Sequence, residues 1–251
     1  MPSLIPFRLA AVCALALSLT LAFTALATAK GLQANLRVVG TGSKVLAEKT
    51  VASPNVSITA SPKATCFGPG SGGSGDSLQL KGNTAMGLLA NGAKTTAALR
   101  PLSITDSFDF GLAICGIGSS VAKGSSSWYL KINHKAQMVS GDVAKIKAGD
   151  DVLWALAKTE APSYKYPEEL VLTAPASAKA GMEFTVRVWA YNEKGKKTPQ
   201  AGAKVTGAAA PTGADGRTTV TLGKPAKLGA TASGAIPAAK VAVCVGGNCP
   251  K

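Results

Sequence analysis

Hydrophobic and polar residues alternate at several places along the chain, and the first such segment begins at residue 31. Leu32, Leu36 and Val38 fall on one side of an extended chain, with polar residues between them. An alternation of period two is typical of a β-strand with one buried face. Gly40–Gly42 predicts a turn, and 44–51 predicts a second strand. This part of the chain therefore predicts a β-hairpin.

A second pair of predicted strands lies near the middle of the chain, at 127–134 and 152–157. In the first of them, Trp128, Leu130 and Ile132 alternate with more polar neighbours, as expected of a half-buried strand. The second is apolar at every position, which is typical of a central strand that is buried on both faces. A long polar loop joins the two strands.

Between these two pairs the sequence predicts one helix and further strands. Apolar residues at helical spacing predict an α-helix over 83–92, which Asn83 or Thr84 could cap. Alternating aromatic and aliphatic residues predict another strand, or a pair of strands, over 104–117 (Phe108, Phe110, Leu112, Ile114). The N-terminal part is thus predicted to be a β-rich domain with a single helix.

The middle pair of strands also carries a family resemblance. Trp-Tyr-Leu-Lys-Ile-Asn at 128–133, followed after a loop by Ala-Gly-Asp-Asp-Val-Leu-Trp at 148–154, resembles the closing hairpin of the DUF4430 family, also called the transcobalamin C-terminal-like domain. The family pattern is roughly Trp-x-x-x-x-Asn-Gly, a loop, then Gly-Asp-x-x-x-Trp. His134 stands where the family has glycine. The resemblance implies a β-grasp-like domain over 31–160, of a kind often found in secreted bacterial proteins.

The same resemblance implies candidate ligand-binding residues. In transcobalamin-like proteins, the related domain covers one face of a bound corrinoid. Trp128 and Tyr129 would then be exposed ring contacts, with Asn133 as a third ligand-binding candidate.

The C-terminal part of the chain has a different pattern. A linker rich in proline and polar residues is predicted at 161–167, and short strands with frequent turns follow over 168–251. Pro-x-x-Gly-Ala-x-Val at 199–205, then Thr-x-x-Asp-Gly-x-x-x-Val-x-Leu at 212–222, resembles bacterial immunoglobulin-like repeats of the adhesin type. We therefore expect a mainly-β protein: an α+β, β-grasp-like domain, then a small immunoglobulin-like β-sandwich.

The N-terminal segment 1–29 predicts a secretory signal peptide. Arg8 supplies a short basic start, an apolar run follows, and Ala27-Thr28-Ala29 is a small-x-small cleavage site. Cleavage is predicted after Ala29, with Ala27 as the close competitor. Because the apolar run is long enough to span a bilayer, the alternative is an uncleaved anchor, and membrane association is expected only through that uncleaved signal.

Four cysteines follow the predicted signal peptide: Cys66, Cys115, Cys244 and Cys249. An even number in an exported chain predicts two disulfides, and four cysteines allow three connectivities. We expect the nearest-neighbour pairing, Cys66–Cys115 and Cys244–Cys249, because it puts one bridge in each predicted domain. A metal site would need closely spaced cysteine and histidine ligands, and the chain has one histidine, so neither a metal nor a cofactor is expected.

The charge of the chain bears on its partners. The formal net charge is +14 at pH 7, and the lysines are spread along the sequence. Aromatic residues are not interleaved with them and no nucleic-acid motif is present, so nucleic acid is not an expected partner. The simplest interpretation is a solvated basic surface. The functional interpretation is attraction to anionic cell-envelope components, or binding to another protein.

The residues that common catalytic mechanisms require are missing from the sequence. His134 is the sole histidine and falls in a predicted loop, and no Gly-x-Ser-x-Gly elbow is present. Residues 70–75 fit Gly-x-Gly-x-x-Gly, but no strand precedes them and no helix follows directly, so a dinucleotide site is not expected. We therefore expect a protein that is not an enzyme.

Together these features predict a secreted or cell-surface binding or spacer protein of undefined ligand. The alternative is a small-ligand carrier of the corrinoid type. In the transcobalamin-like proteins a separate helical barrel holds the other side of the corrinoid, and this chain predicts no such barrel, so tight corrinoid binding by the chain alone is not expected. A carrier should show a concave aromatic surface near Trp128, whereas a spacer should bury both Trp128 and Trp154.

Overall fold

The computed structural model describes residues 31–159 and 165–250. The predicted signal peptide and part of the predicted linker lie outside these residues. Within them the chain is mainly β, with several sheets and one α-helix, which confirms the predicted fold class. No helix of the described ranges is both long enough and apolar enough to cross a membrane.

Nineteen strands and one α-helix of the described chain can be given in order. Residues 31–159, here called the N-terminal part, contain β1 Leu32–Val39, β2 Val45–Ser53, β3 Val56–Thr59, β4 Ser77–Leu80, α1 Ala85–Thr95, β5 Leu102–Thr105, β6 Ala113–Ile117, β7 Ser120–Val121, β8 Ser126–Ile132, β9 Lys135–Ala136 and β10 Asp151–Lys158. Residues 165–250, here called the C-terminal part, contain β11 Glu169–Thr173, β12 Ser177–Ala178, β13 Glu183–Tyr191, β14 Lys197–Pro199, β15 Lys204–Val205, β16 Arg217–Thr221, β17 Ala226–Leu228, β18 Ala230–Thr231 and β19 Val241–Val245. Short 3-10 turns occupy Thr41–Ser43 and Ala97–Leu99.

The main sheet of the N-terminal part has the strand order β2-β1-β10-β8-β9. The strand β10 pairs with β1 in parallel and with β8 in the antiparallel sense. The strand β10 is central, and both faces of the sheet are covered at this position. This explains why its sequence is apolar on both faces. One face packs on α1, and the other faces the C-terminal part.

The helix α1 covers the first of these faces. Thr84 is its N-cap, because the Thr84 hydroxyl accepts a hydrogen bond from the Gly87 N–H at 3.1 Å. Met86, Leu88 and Leu89 are completely buried against the sheet. The helix runs several residues beyond the predicted C-terminal end.

The segment 104–117, predicted as one strand or a pair of strands, forms an antiparallel pair in the structure. Strands β5 and β6 form the two ends of this segment, and an irregular loop at 106–112 separates them. Two features hold the loop out of the sheet. The Asp106 carboxylate accepts hydrogen bonds from the backbone N–H and the hydroxyl of Ser74, and Gly111 has a φ of 118°, which favours glycine. Phe108 and Phe110 therefore lie in a loop, where their rings stack on each other with centroids 4.9 Å apart.

The C-terminal part is built from strands only within its described residues. The strands β11, β13, β14 and β16 form one sheet, and β12, β19 and β17 form another. Alternate residues of β13 point inward, and Val186, Val188 and Ala190 join a hydrophobic cluster with residues of the other strands. The pattern of inward and outward residues matches the one that the sequence predicts for short strands.

Both predicted disulfides are confirmed. Cys66 is bonded to Cys115, which links the loop after β3 to β6, and Cys244 is bonded to Cys249 at the end of the chain. Disulfides of this kind are typical of proteins that reach an oxidising compartment.

Candidate functional site

Trp128 and Tyr129 lie on opposite faces of β8, because successive side chains of a strand alternate. Trp128 is half-buried against the core beneath α1. The Tyr129 side chain is 5% exposed and its ring stacks on Tyr166 of the C-terminal part, with centroids 4.1 Å apart. Burial, followed by the Glu193 carboxylate, raises the pKa of the Tyr129 phenol. Tyr129 is therefore not the exposed ring contact that the resemblance implied, while Trp128 stays a predicted contact.

Asn133 has a structural position at the other end of β8. Asn133 and His134 have φ values of 49° and 68° and form the tight turn between β8 and β9. The turn forms although His134 replaces the glycine of the family pattern. The Asn133 amide donates to the Asp150 carboxylate at 2.9 Å and its carbonyl oxygen accepts from the Asp151 N–H at 2.9 Å. These bonds tie the turn to the start of β10, and Asn133 does not line the concavity at Trp128.

A concave apolar surface, here called the Trp128 groove, lies at the edge of β8. Its volume is about 420 Å³, and its walls include Trp128, Leu112, Gly141 and Trp154. Its rim is formed by exposed apolar side chains from three loops (Phe67, Phe110, Met138, Val139). Phe110 is 67% exposed and Met138 is 94% exposed. Large apolar side chains that cluster in the solvent around a concavity indicate a binding surface.

The floor of the groove depends on a glycine. A Cβ atom at position 141 would lie 2.5 Å from Cη2 of Trp154, which is 3% exposed. The loop at 137–141 can therefore approach the buried indole only because residue 141 has no side chain. The Gly141 carbonyl also accepts a hydrogen bond from the Met86 N–H at 2.8 Å, which anchors the loop to the start of α1. The floor of the groove is thus fixed by the contact of this loop with Trp154 and by its hydrogen bond to α1.

The groove also contains the part of the β8 edge, around Trp128, that no strand pairs with. The Leu130 carbonyl accepts a hydrogen bond from the Gln137 N–H at 3.0 Å, so it points away from β10 towards the outer edge of the sheet. Trp128 is two residues earlier, and its backbone groups therefore face the same edge. The short strand β9 pairs only with Lys131 and Ile132. A ligand in the groove would thus meet both apolar side chains and backbone hydrogen-bonding groups.

A buried charge cluster lies where the N-terminal and C-terminal parts meet. We call Arg37, Lys131, His134 and Glu169 the Glu169 cluster. One Glu169 oxygen, Oε1, is 3.2 Å from His134 Nδ1 and 3.7 Å from an Arg37 nitrogen, and the other, Oε2, is 3.2 Å from Lys131 Nζ. Lys131 is 0% exposed and also donates a hydrogen bond to the Tyr191 carbonyl at 3.0 Å. The cluster therefore joins β1, β8 and the turn after β8 to β11, and Lys131 extends the contact to β13.

The folded protein favours the charged form of Glu169 but disfavours the charged form of Lys131. Burial alone would raise the pKa of Glu169, but the contact with His134 and the charges of Lys131 and Arg37 outweigh it and lower that pKa. Burial lowers the pKa of Lys131, and Glu169 only partly opposes this effect. The asymmetry follows from the geometry, because the two cations Lys131 and Arg37 share one carboxylate. Glu169 is thus the residue on which the cluster depends.

The cleft beside this cluster is a weaker candidate for a ligand site. Its volume is about 410 Å³, and its charged lining residues are mixed in sign (Arg37, Glu48, Lys49, Asp151, Glu169, Lys240). Acidic and basic groups therefore largely satisfy each other there. In addition, none of the described residues form a group of histidine, cysteine, aspartate and glutamate side chains that could hold a metal ion.

Comparisons of the chain with protein-family models, with curated proteins and with solved structures find no match. The DUF4430 and immunoglobulin-like resemblances therefore rest on the residues quoted above and stay predictions.

Sequence reasoning did not find the rim of the Trp128 groove or the Glu169 cluster. The one local signal for the rim is that Phe67 and Phe110 each precede a glycine in a segment without helical periodicity. The signal for the cluster lies in β10. Lys131 stands opposite Leu153 of β10, and the residues of β10 on that face of the sheet are apolar.

Proposed function

We propose that this protein is an exported, non-catalytic binding protein that takes an apolar ligand in the Trp128 groove. The observation that carries this proposal is the rim of Phe67, Phe110 and Met138, whose apolar side chains stand in solvent around a half-buried tryptophan. A volume of about 420 Å³ lies within the range of small-molecule sites, roughly 300–1,000 Å³. A protein that served only as a spacer would not be expected to expose such a cluster of large apolar side chains.

Export and the lack of catalysis are parts of the same proposal. The two disulfides and the apolar N-terminal segment with its small-x-small site support secretion or display at the cell surface. His134, the sole histidine, lies against Glu169 and packs on Tyr191 with ring centroids 4.2 Å apart. It is thus used in the contact between the two parts of the chain, and it is not one of the residues that line the groove.

We further propose that the N-terminal part is a DUF4430-like domain over 31–160 and the C-terminal part an immunoglobulin-like domain over 168–251. The docking of the two through the Glu169 cluster supports a spacer role for the second, because it would hold the groove at a fixed orientation.

A corrinoid carrier is the second candidate function, and the concave surface at Trp128 is the observation in its favour. The groove is open to solvent on one side, whereas tight sites bury roughly 70–90% of a ligand. Tyr129 borders the groove, but its ring is 5% exposed and stacks on Tyr166, and Asn133 lies outside the groove. We therefore expect no corrinoid binding with a dissociation constant below about 1 μM by the chain alone.

Binding of a neutral, environment-sensitive dye tests the proposal. Nile red should bind saturably to the mature protein, with a rise in its fluorescence. Phe110→Ala should weaken this binding about tenfold, because an exposed ring that becomes buried by ligand contributes about 1.5 kcal/mol or more. Met182→Ala is the matched control, since Met182 is exposed but lies outside the groove.

Equal binding by the Phe110→Ala and Met182→Ala proteins would place the dye elsewhere and refute the groove as the site. Cobalamin, titrated in the same way and followed by tryptophan fluorescence, separates the two candidates. Saturable cobalamin binding with a dissociation constant below about 1 μM would favour the corrinoid carrier.

A further inference from the structure

A second surface of the molecule combines aromatic and basic side chains. It lies on the sheet that β11, β13, β14 and β16 form in the C-terminal part. Val171, Trp189 and Pro199 lie directly opposite one another on β11, β13 and β14, so they form a row across the outer face of that sheet. Arg187 flanks this row on one side and Lys197 on the other. We call these five residues, together with Arg217, the Trp189 face.

Arg187 is held in place by two contacts that leave its terminal Nη groups available. Its guanidinium lies over the Trp189 ring at 3.7 Å from the ring centroid, and its Nε donates to the Asp215 carbonyl at 3.0 Å. Within the described part of the chain, its two Nη groups have no hydrogen-bond partner and no ion pair. Stacking and the Nε bond therefore leave a planar, oriented fork with two donors available. Such a fork fits the two oxygens of a carboxylate.

The other charges of the face repel this guanidinium. Arg187 stands directly opposite Arg217 in the sheet, and like charges at opposed positions of adjacent strands are destabilising. The Lys197 ammonium lies 4.9 Å from the centroid of the same indole. The nearby acid, Asp215, has its carboxylate 3.7 Å from Arg217 Nε, where both groups are exposed and the attraction is weak. An external anion would relieve this repulsion.

We propose that the Trp189 face binds an acidic polysaccharide that carries carboxylate groups along its chain. The cations meet the carboxylates, with Arg187 in the bidentate geometry. The row of Val171, Trp189 and Pro199 provides an apolar surface for the C–H faces of the sugar rings. This surface is separate from the Trp128 groove, and the inference does not depend on the ligand of that groove.

Binding to immobilised polygalacturonate tests the inference, with neutral dextran as the reference surface and polyphosphate as a second polyanion. The protein used is the mature chain, at one fixed salt concentration. Arg187→Gln should weaken binding about tenfold, because a charge-assisted contact is lost. Arg187→Lys keeps the charge but lacks the fork, and should weaken binding by a smaller factor. Lys227→Gln removes a positive charge from an exposed position on β17 and is the matched control, expected to change the affinity less than twofold.

The outcomes separate specific recognition from attraction to net charge. Selective loss in the two Arg187 variants, with dextran not bound, supports the inference. An equal loss in Lys227→Gln would show that only the overall charge matters and would overturn it. Equal affinity for polyphosphate and polygalacturonate would overturn the assignment to a carboxylated sugar polymer. If Arg187→Gln does not fold, as judged by its thermal transition, Arg187→Lys decides the question, and unchanged binding there refutes the role of the fork.

Discussion

Replacing Glu169 by glutamine should destabilise the protein more than any other single neutralisation of a carboxylate in its described residues. The Glu169 side chain is 5% exposed and has Lys131, Arg37 and the His134 imidazole within 3.7 Å, and Lys131 is completely buried. The glutamine variant leaves Lys131 with the Tyr191 carbonyl as its hydrogen-bond acceptor and leaves Arg37 with Glu48 at 4.0 Å. Two buried cations thus lose their main counter-charge.

The magnitude follows from the behaviour of buried ion pairs. Removal of one partner costs about 3–5 kcal/mol, because the other charge stays buried without compensation. For a chain of this size, that loss lowers the midpoint of thermal unfolding by on the order of 10 °C. Replacing both partners, as in Lys131→Met with Glu169→Leu, should restore part of the stability, because apolar side chains of similar volume carry no desolvation penalty.

Urea unfolding followed by circular dichroism measures these free energies. Glu183→Gln is the matched control, since Glu183 is an exposed residue at the start of β13 and should change the free energy of unfolding by less than about 0.5 kcal/mol. The interpretation of the cluster is wrong if Glu169→Gln unfolds at the same urea concentration as Glu183→Gln.

The pH dependence of the same two proteins provides an independent check. The pKa of Glu169 is lowered in the folded protein, so its stabilising contribution is complete above the unfolded value, about 4.3, and is lost as the pH falls through the folded value. The difference in unfolding free energy between the wild type and Glu169→Gln should therefore shrink as the pH falls below about 4. A difference that grows on acidification would contradict this sign.

Three further substitutions test the N-terminal part, each read out by urea unfolding. Thr84→Ala should cost about 1 kcal/mol, because the Gly87 N–H loses the cap, whereas Thr84→Ser should cost less; equal losses would argue against the cap. Replacing Cys66 and Cys115 together by serine should cost about 4 kcal/mol through the entropy of a long loop, and an unchanged midpoint would contradict this. Gly141→Ala should cost about 1–3 kcal/mol, because the new methyl group meets Trp154; a neutral result would show that the loop can move away.

Much of the fold could be predicted because alternation reports burial directly. In β1 and β8 the apolar positions are those that face the helix, and in β10 the absence of polar positions correctly indicated a central strand. The pairing of the cysteines also followed from their placement. In contrast, the loop at 106–112 keeps the alternation of a strand in its phenylalanines, while Asp106 and Gly111 remove it from the sheet. Alternation cannot distinguish a ring that is buried from a ring that is exposed to solvent.

The candidate site could be predicted less well, and the reason is physical. A pattern method assigns Arg37 and Lys131 to a solvated face, because isolated charges are costly to bury. That cost is removed by a carboxylate that comes from β11, in a different part of the chain, so nothing near Lys131 in sequence reveals it. The signal that was present is Leu153 and Ala155, which are apolar on the same face of β10 and form a cluster with Ile236. A charged residue whose neighbours across the sheet are apolar therefore indicates a covered face, and a counter-charge should be sought on whichever element covers it.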